Sequence, residues 1–157
     1  TSENGAVAID ISDDALKVAD YNKKYNNADY IKLIKSDMFS SSECEQYKNE
    51  DNRFDVIVSN PPYIPTKDID ELSEEVRLHD PVLALDGDTD GLKFYKAITK
   101  QSVNYLKENG YLCYEIGYNQ AEDVRNIMEQ CGYSGIKVIK DLAGLDRVVI
   151  GRLNNIN

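Results

Sequence analysis

Short apolar runs alternate with amphipathic stretches along the first half of the chain, and this alternation predicts strands and helices in turn. An apolar run ends at Asp10, and Ser12 follows as the N-cap residue of a helix that extends to about Tyr25. The polar composition of residues 40–53 predicts a loop, and residues 65–90 predict irregular, partly helical structure. The predicted strands of this half are residues 6–9, 30–35 and 54–59.

The second half continues the alternation with two amphipathic helices. Gly91 opens the first helix, and Asn109-Gly110 is a typical helix end. The apolar side of this helix consists of Leu92, Tyr95, Ile98 and Leu106. The second helix begins at a capping box formed by Asn119 and Glu122, and it ends at Gly132. Further strands are predicted at residues 111–116, 136–140 and 147–152.

Strands that alternate with helices predict an α/β fold with a doubly wound, mostly parallel sheet. The last two strands are separated only by residues 141–146, which are too few for a crossover helix. We therefore expect these strands to pair as an antiparallel hairpin. The strand at 54–59 is expected to be buried, because its sequence is apolar apart from Asp55 and the final Ser59.

Composition and charge disfavour several classes of protein. The chain has 157 residues, of which 41% are hydrophobic and 29% charged, as in one globular domain. Its apolar runs reach about half a dozen residues, whereas a membrane helix needs about 20. A net charge of −10 disfavours binding to the nucleic-acid backbone. The three cysteines (Cys44, Cys113 and Cys131) lack CxxC spacing, which is typical of reduced thiols in a cytoplasmic protein.

The most distinctive segment is Asn60-Pro61-Pro62-Tyr63, which directly follows the predicted strand at 54–59. Proline has a fixed φ and no backbone N–H, so the segment predicts a rigid polar tip at the end of a strand. In open α/β sheets the carboxyl ends of the strands carry the ligand-binding residues. The alternative interpretation is an ordinary strand-to-loop turn, for which Asn-Pro and Pro-Pro are common.

Seven segments carry a resemblance to a known family. They are Ala8-Ile9-Asp10-Ile11-Ser12, Ser36-Asp37-Met38-Phe39, Ser59-Asn60-Pro61-Pro62-Tyr63-Ile64, Ala84-Leu85-Asp86-Gly87, Asp90-Gly91-Leu92-Lys93-Phe94-Tyr95, Glu115-Ile116-Gly117 and Asp141-Leu142-Ala143-Gly144-Leu145-Asp146-Arg147. Together they resemble the bacterial protein-(glutamine-N5) methyltransferases that modify peptide chain release factors. The Asn-Pro-Pro-Tyr segment is shared with adenine-N6 methyltransferases. The Asp-Leu-Ala-Gly-x-Asp-Arg segment favours the glutamine methyltransferases over them.

The resemblance implies a Rossmann-like class I S-adenosylmethionine-dependent methyltransferase sheet with a terminal antiparallel hairpin. Residues 1–157 would form a partial methyltransferase domain, because the family's N-terminal helical domain, first strand and glycine-rich loop find no match here. None of the nine glycines forms the Gly-x-Gly of such a loop. We therefore expect residues 1–157 alone to bind cofactor weakly. We also expect either a sheet that closes up over the gap or strand exchange between copies in a dimer.

The resemblance also implies a reaction. A methyl group would pass from S-adenosylmethionine to the side-chain amide nitrogen of the glutamine in the Gly-Gly-Gln loop of a release factor. S-adenosylhomocysteine would be the product, and release factors would be the partners. Two alternatives are an adenine-N6 methyltransferase acting on nucleic acid and a catalytically silent interaction module.

The catalytic residues implied by the resemblance are Asn60, Pro61, Pro62 and Tyr63. The Asn60 side-chain oxygen and the Pro61 carbonyl can accept hydrogen bonds from the two N–H groups of a planar amide. Such bonds orient the amide nitrogen and increase its electron density, so no strong base is needed. Pro62 stiffens the turn, and Tyr63 can stack on the amide plane.

The cofactor-binding residues implied by the resemblance are Asp10, Ile11, Asp37, Met38, Phe39 and Asn60. Asp10 would accept from the ribose hydroxyls and Asp37 from the adenine amino group, with Met38 and Phe39 near the ring. Taken alone, the position of Asp10 favours a turn residue before the Ser12 cap, whereas Asp37 is equally a loop carboxylate.

A metal site is not expected. Asp86, Asp88, Asp90 and Gly91 have the spacing of the start of a calcium loop. The twelfth position of such a loop needs a bidentate glutamate, and Ala97 stands there instead.

Overall fold

A computed structural model of the chain describes residues 5–154, apart from the side chain of Leu78. The chain divides into two compact units, Thr1–Asn52 and Arg53–Asn157. No helix in the described part is both long and apolar enough to cross a membrane. One partial methyltransferase domain over residues 1–157 stays a prediction.

The first unit contains a parallel β-α-β motif, as the sequence predicts. Strand β1 spans Ala6–Asp10, helix α1 spans Asp13–Tyr25 and strand β2 spans Ile31–Lys35. The two strands pair in parallel from Ala6 opposite Ile31 onward. Ser12 caps α1, since its side-chain oxygen accepts a hydrogen bond from the Ala15 N–H at 3.2 Å.

The prediction of a loop at 40–53 is wrong in detail. This segment forms two 3₁₀ helices, Ser42–Lys48 and Glu50–Asn52. The Ser41 side chain accepts a hydrogen bond from the Glu43 N–H at 3.2 Å and so starts the first of them. Cys44 is 1% exposed, so a buried thiol anchors a segment that its polar composition marked as loop.

The second unit is built on a four-stranded mixed sheet. Its strands are β3 (Phe54–Ser59), β4 (Leu106–Glu115), β5 (Tyr133–Lys140) and β6 (Asp146–Leu153). They lie in the order β3-β4-β6-β5, with β3 and β4 parallel and the other two pairs antiparallel. The α/β fold and the terminal hairpin of β5 and β6 are confirmed.

Four α-helices accompany this sheet. They are α2 (Glu74–His79), α3 (Val82–Leu85), α4 (Lys93–Ser102) and α5 (Ala121–Gln130). A 3₁₀ helix at Thr66–Glu71 precedes α2. The segment predicted as irregular at 65–90 therefore consists mainly of short helices.

Buried tyrosines and their hydroxyl partners form much of the core of the second unit. The rings of Tyr95 and Tyr114 meet edge to face with centroids 5.1 Å apart. The Tyr114 hydroxyl lies 2.9 Å from Thr99 Oγ1, and the Tyr133 hydroxyl lies 2.7 Å from Ser102 Oγ. Burial raises the pKa of Tyr133 to about 12, so its hydroxyl stays neutral.

Helix α4 ends at Ser102, before the Asn109-Gly110 stop that the sequence indicates. Leu106 is fully buried at the start of β4 and pairs with Phe54 of β3. The Phe54 N–H also donates to the Tyr105 carbonyl at 2.8 Å. Asn109 has a positive φ of 63° within β4, where the register to β3 is irregular. The Asn-Gly pair therefore marks an irregularity in β4, and the predicted end of α4 at this pair is wrong.

The predicted capping box at the start of α5 is wrong. The helix begins at Ala121, and its N-cap residue is Gln120, whose side chain makes no bond to the helix. Asn119 and Glu122 make no reciprocal cap among the described hydrogen bonds. Gly132 ends the helix with a φ of 90°, as predicted.

Strand β3 is more exposed than predicted. Val58 is 74% exposed and Val56 is 49% exposed. In the described part of the chain β3 pairs only with β4, so its apolar run lies at the edge of the sheet. Strand exchange at such an edge stays a prediction.

Candidate active site

The Asn-Pro-Pro-Tyr segment leaves the carboxyl end of β3 beside the end of β4. Ser59 lies opposite Tyr114 in parallel register. Because parallel strands end at the same edge of a sheet, the segment shares this edge with Glu115 and Gly117. This is the edge at which open α/β sheets carry ligand-binding residues.

The two acceptors selected from the sequence keep their hydrogen-bonding capacity. Asn60 is exposed and Pro61 is buried. Among the described residues, none donates to the Asn60 side-chain oxygen or to the Pro61 carbonyl. Both oxygens can therefore accept from a ligand amide.

The chain that follows Tyr63 is held by an isolated parallel β-bridge between Ile64 and Asp86. The Ile64 N–H donates to the Leu85 carbonyl at 3.0 Å, and the Ile64 carbonyl accepts from the Gly87 N–H at 2.8 Å. One step further, the Thr66 N–H donates to the Asp88 carbonyl at 3.1 Å. These bonds explain why the Ala-Leu-Asp-Gly segment accompanies Asn-Pro-Pro-Tyr, since it holds the end of the turn.

Two glycines allow the same segment to approach Tyr63 closely. A Cβ added to Gly87 would lie 2.8 Å from the Tyr63 Cα, which is too close for real atoms. A Cβ added to Gly91 would overlap the Tyr63 carbonyl oxygen, and Gly91 also has a φ of +70°. Both positions therefore require glycine.

Gln120 connects Tyr63 to the end of β4. Its Nε2 donates to the Tyr63 carbonyl at 2.9 Å and to the Gly91 carbonyl at 3.3 Å. Its Oε1 accepts from the Gly117 N–H at 3.0 Å. The residue is 7% exposed, so these bonds are formed away from solvent.

Tyr95 fixes the last residue of β4. Its hydroxyl donates to the Glu115 carbonyl at 2.9 Å. Burial, followed by the nearby charges of Tyr63 and Glu115, raises the pKa of Tyr95 well above its usual value. The hydroxyl therefore stays a neutral donor at physiological pH.

The Asp-Leu-Ala-Gly-x-Asp-Arg segment also reaches this edge. Asp141 Oδ1 accepts from the Ala143 N–H at 2.9 Å and the Leu145 N–H at 3.0 Å, which closes the hairpin loop. Arg147 donates to Asp141 Oδ2 at 3.1 Å and to the Ile116 carbonyl at 3.3 Å. The Leu145 N–H first, and then Arg147, lower the pKa of Asp141. The Asp-Leu-Ala-Gly-x-Asp-Arg segment, which in the sequence is only a family feature, thus supports the Glu-Ile-Gly turn through Arg147.

A cavity of about 280 Å³ opens beside Tyr63. Its walls include Gly117 of the Glu-Ile-Gly turn, three aspartates and two side-chain amides. The lining residues are Tyr63, Ile64, Pro65, Asp68, Asp90, Gly117, Tyr118, Asn119, Gln120 and Asp123. Of the catalytic residues selected from the sequence, only Tyr63 lines this cavity.

The acidic segment that resembles a calcium loop is engaged in its own structure. Asp86 Oδ1 accepts from the Asp88 N–H at 2.9 Å. Asp88 pairs with Lys93 at 3.0 Å, and Asp90 pairs with Lys96 at 2.6 Å. The bond from Lys93 is the main reason why the pKa of Asp88 is lowered to about 2. The described residues contain no group of three His, Cys, Asp or Glu side chains that could hold a metal ion.

The remaining candidate cofactor residues lie in the first unit, at one edge of its two-stranded sheet. Asp10 ends β1 and is exposed, and its Oδ1 accepts from the Ser12 N–H at 2.8 Å. The Asp10 carbonyl accepts from the Ser36 N–H at 3.0 Å, which brings the ends of β1 and β2 together. Asp37 is exposed directly after this contact. The other three are Ile11, 44% exposed, Met38, with a φ of 49°, and Phe39, 9% exposed.

The sequence does not predict three of these site residues, Gln120, Gly87 and Gly91. The glycines carried a signal, because they lie in segments that match the family. Gln120 carried none beyond its position near a helix start, and its partner Tyr63 lies 57 residues away.

An α/β sheet whose strand ends in a braced Asn-Pro-Pro-Tyr turn, and whose last strands form an antiparallel hairpin, has the class I methyltransferase fold. Solved structures agree: a methyltransferase from Pyrococcus furiosus is similar with a TM-score of 0.68 and 18% identity, over 96% of this chain and 64% of that one. The chain belongs to the Eco57I restriction-modification methylase family, whose model matches residues 3–127.

The resemblance to release factor methyltransferases is confirmed. The chain is 40% identical to the release factor glutamine methyltransferase of Fusobacterium nucleatum over 149 residues, which are 95% of this chain and 40% of that protein. The release-factor-specific protein-(glutamine-N5) methyltransferase of Alicyclobacillus acidocaldarius has a similar fold, with a TM-score of 0.51 and 20% identity. The aligned part covers 98% of this chain and 82% of that structure.

Proposed function

We propose that the protein transfers a methyl group from S-adenosylmethionine to the N5 amide nitrogen of the glutamine in the Gly-Gly-Gln loop of a peptide chain release factor. The names of its relatives support a release factor as the substrate. The observation that carries the reaction is a pair of acceptor oxygens, at Asn60 and Pro61, that receive no hydrogen bond from residues 5–154. They lie on a turn that Gln120 holds through the Tyr63 carbonyl. In this proposal the protein acts in the cytoplasm and serves translation termination.

The chemistry requires orientation more than basicity. The lone pair of an amide nitrogen is delocalised into its carbonyl, so the nitrogen is a weak nucleophile. The Asn60 oxygen and the Pro61 carbonyl accept one N–H each, which increases electron density on the nitrogen and directs it at the methyl donor. Pro62 keeps these acceptors in place, and Tyr63 stacks on the amide plane. The methylated nitrogen then loses one proton to solvent.

The residues available for the cofactor fit a nucleoside. S-adenosylmethionine, when bound, supplies an electrophilic methyl group and leaves as S-adenosylhomocysteine. Asp10 has an exposed carboxylate at a strand end, and its Oδ2 accepts no hydrogen bond from the described residues. Asp10 would hold the ribose and Asp37 the adenine amino group, with Ile11, Met38 and Phe39 beside the ring.

The family description favours a second candidate. A restriction-modification methylase acts on nucleic acid, and the planar amino group of adenine could meet the same two acceptors. The net charge of −10 argues against this substrate, because a nucleic-acid backbone is bound mainly by lysine and arginine.

A competition assay separates the two candidates. The intact protein is incubated with S-adenosylmethionine labelled in its methyl group, together with a release factor and adenine-containing DNA and RNA. A release factor whose Gly-Gly-Gln glutamine is replaced by alanine serves as the control. We expect label only in the release factor that keeps its Gly-Gly-Gln glutamine. Label in nucleic acid alone would support the second candidate and contradict the first.

A further inference from the structure

We infer that Gln120 is a positioning residue that fixes the Asn-Pro-Pro-Tyr turn for the transferred methyl group, and this inference rests on the function proposed above. Gln120 is buried at the start of α5 and lies 57 residues from its partner Tyr63 in the sequence. It does not cap its own helix by its side chain. Its carboxamide is used entirely outside the helix that it precedes.

Only a carboxamide satisfies the groups around this side chain. The Tyr63 and Gly91 carbonyls are both acceptors, and they face Nε2 at 2.9 and 3.3 Å. The Gly117 N–H is a donor, and it faces Oε1 at 3.0 Å. One planar group therefore has to donate on one side and accept on the other. These partners fix the orientation of the amide. The reversed orientation would place the oxygen against the two carbonyls and the NH2 group against the Gly117 N–H.

Three backbone segments meet closely around Gln120 on this side of the turn. Gly87 and Gly91 approach Tyr63 as closely as a residue without Cβ allows. A Cβ on Gly117 would lie 2.8 Å from Gln120 Oε1, so the Glu-Ile-Gly turn also packs directly on the carboxamide. Gln120 is therefore the link that ties three backbone segments to one another.

Gln120 holds a residue that is close in sequence to one of the proposed acceptors. The Tyr63 carbonyl is two residues from the Pro61 carbonyl, which is one of the proposed acceptors. Transfer to a weak nucleophile depends on its geometry, and a misplacement of about 1 Å can cost about 100-fold in rate. Loss of the link should therefore reduce kcat and leave cofactor binding intact.

The test compares Gln120→Met, which keeps the volume and removes both polar functions, with Ser102→Ala in the intact protein. Ser102 also makes a buried hydrogen bond, but its partner Tyr133 belongs to β5 and not to the turn. We expect Gln120→Met to lower kcat by about 100-fold with an unchanged KM for S-adenosylmethionine. Ser102→Ala should lower the melting temperature and keep kcat. An unchanged kcat in Gln120→Met, or an equal loss in both variants, would overturn the inference.

Two further measurements keep the test independent of folding and of the substrate. Gln120→Asn keeps the carboxamide but is one methylene shorter, so it cannot reach Gly117 and Tyr63 together and should lose part of kcat. Hydrogen exchange at the Ile64 amide needs no substrate, and we expect it to be roughly tenfold faster in Gln120→Met and unchanged in Ser102→Ala. If the wild type does not methylate release factor, the proposed function fails. The Ile64 exchange then decides alone, and equal exchange in both variants overturns the inference.

Discussion

Gly91 lies so close to Tyr63 that a Cβ on Gly91 would overlap the Tyr63 carbonyl oxygen. The contact joins the loop before α4 to the turn after β3, and it explains the glycine in the Asp-Gly-Leu segment. Two independent requirements therefore act on Gly91, one for space and one for its φ of +70°.

The two requirements can be measured separately. Gly91→Ala should unfold the protein at clearly lower urea concentration, because it incurs both the left-handed φ and an overlap with backbone. Gly135 has a φ of +60° and no atom within 4 Å of its added Cβ, so Gly135→Ala incurs only the first. We expect Gly91→Ala to lose about 2 kcal/mol more in free energy of unfolding than Gly135→Ala. Equal losses would show that the space around Gly91 is unimportant.

Asn60 should separate catalysis from cofactor binding. Asn60→Ala removes one acceptor for the substrate amide, and we expect it to abolish methyl transfer while S-adenosylmethionine still binds through Asp10 and Asp37. Rates of transfer and calorimetric titration with the cofactor measure the two effects. Asn104→Ala, at another exposed asparagine of the same unit, serves as the control and should behave as wild type. An Asn60→Ala variant with wild-type turnover contradicts the role given to this carboxamide.

The pH dependence of stability should report the Asp88–Lys93 pair. The pKa of Asp88 is lowered from 3.8 to about 2 in the folded protein, mainly by the bond from Lys93. A lowered folded pKa contributes stability above the unfolded pKa, and this contribution is lost as the pH falls from about 3.8 to about 2. Asp88→Asn keeps a residue that tolerates positive φ and removes the ion pair.

Urea unfolding at several pH values measures this contribution. Asp88→Asn should have a lower midpoint than wild type at pH 7, and the difference should shrink toward pH 2. Asp29→Asn is the control, at an exposed carboxylate with no ion pair among the described residues. A difference that does not depend on pH contradicts the assignment.

Cofactor binding should be weak when residues 1–157 are studied alone. The chain contains no Gly-x-Gly, and the proposed cofactor residues include no other backbone cradle for the methionine part. Calorimetric titration with S-adenosylmethionine should therefore give a Kd weaker than micromolar. Micromolar binding would show that Asp10 and Asp37 with their neighbours suffice.

Local periodicity predicted most of the elements, and the exceptions have specific physical causes. The β5–β6 hairpin could be predicted because the few residues between two apolar runs allow no crossover. The end of α4 could not be predicted, because Leu106 continues the helical pattern in the sequence. In the structure Leu106 is buried in β4, where it pairs with Phe54. The exposure of Val58 depends on which strand lies beside β3, and the sequence of β3 alone does not specify this.

The candidate site, like the fold, can be predicted from the sequence only in part. Asn60 and Tyr63 can be predicted because their segment is distinctive and follows a strand directly. Gln120 cannot, because its role depends on Tyr63 and Gly91, which only the folded chain brings near it. A buried polar side chain near a helix start resembles an ordinary cap in sequence, and its actual partners are distant in the chain.

Peptide mapping of a methylated release factor tests the central claim most directly. The intact protein is incubated with S-adenosylmethionine and a release factor, and the modified residue is located by fragmentation mass spectrometry. The account predicts one added methyl group on the side-chain nitrogen of the Gly-Gly-Gln glutamine, and none with Asn60→Ala. A methyl group on any other residue, or transfer that persists in Asn60→Ala, would contradict it.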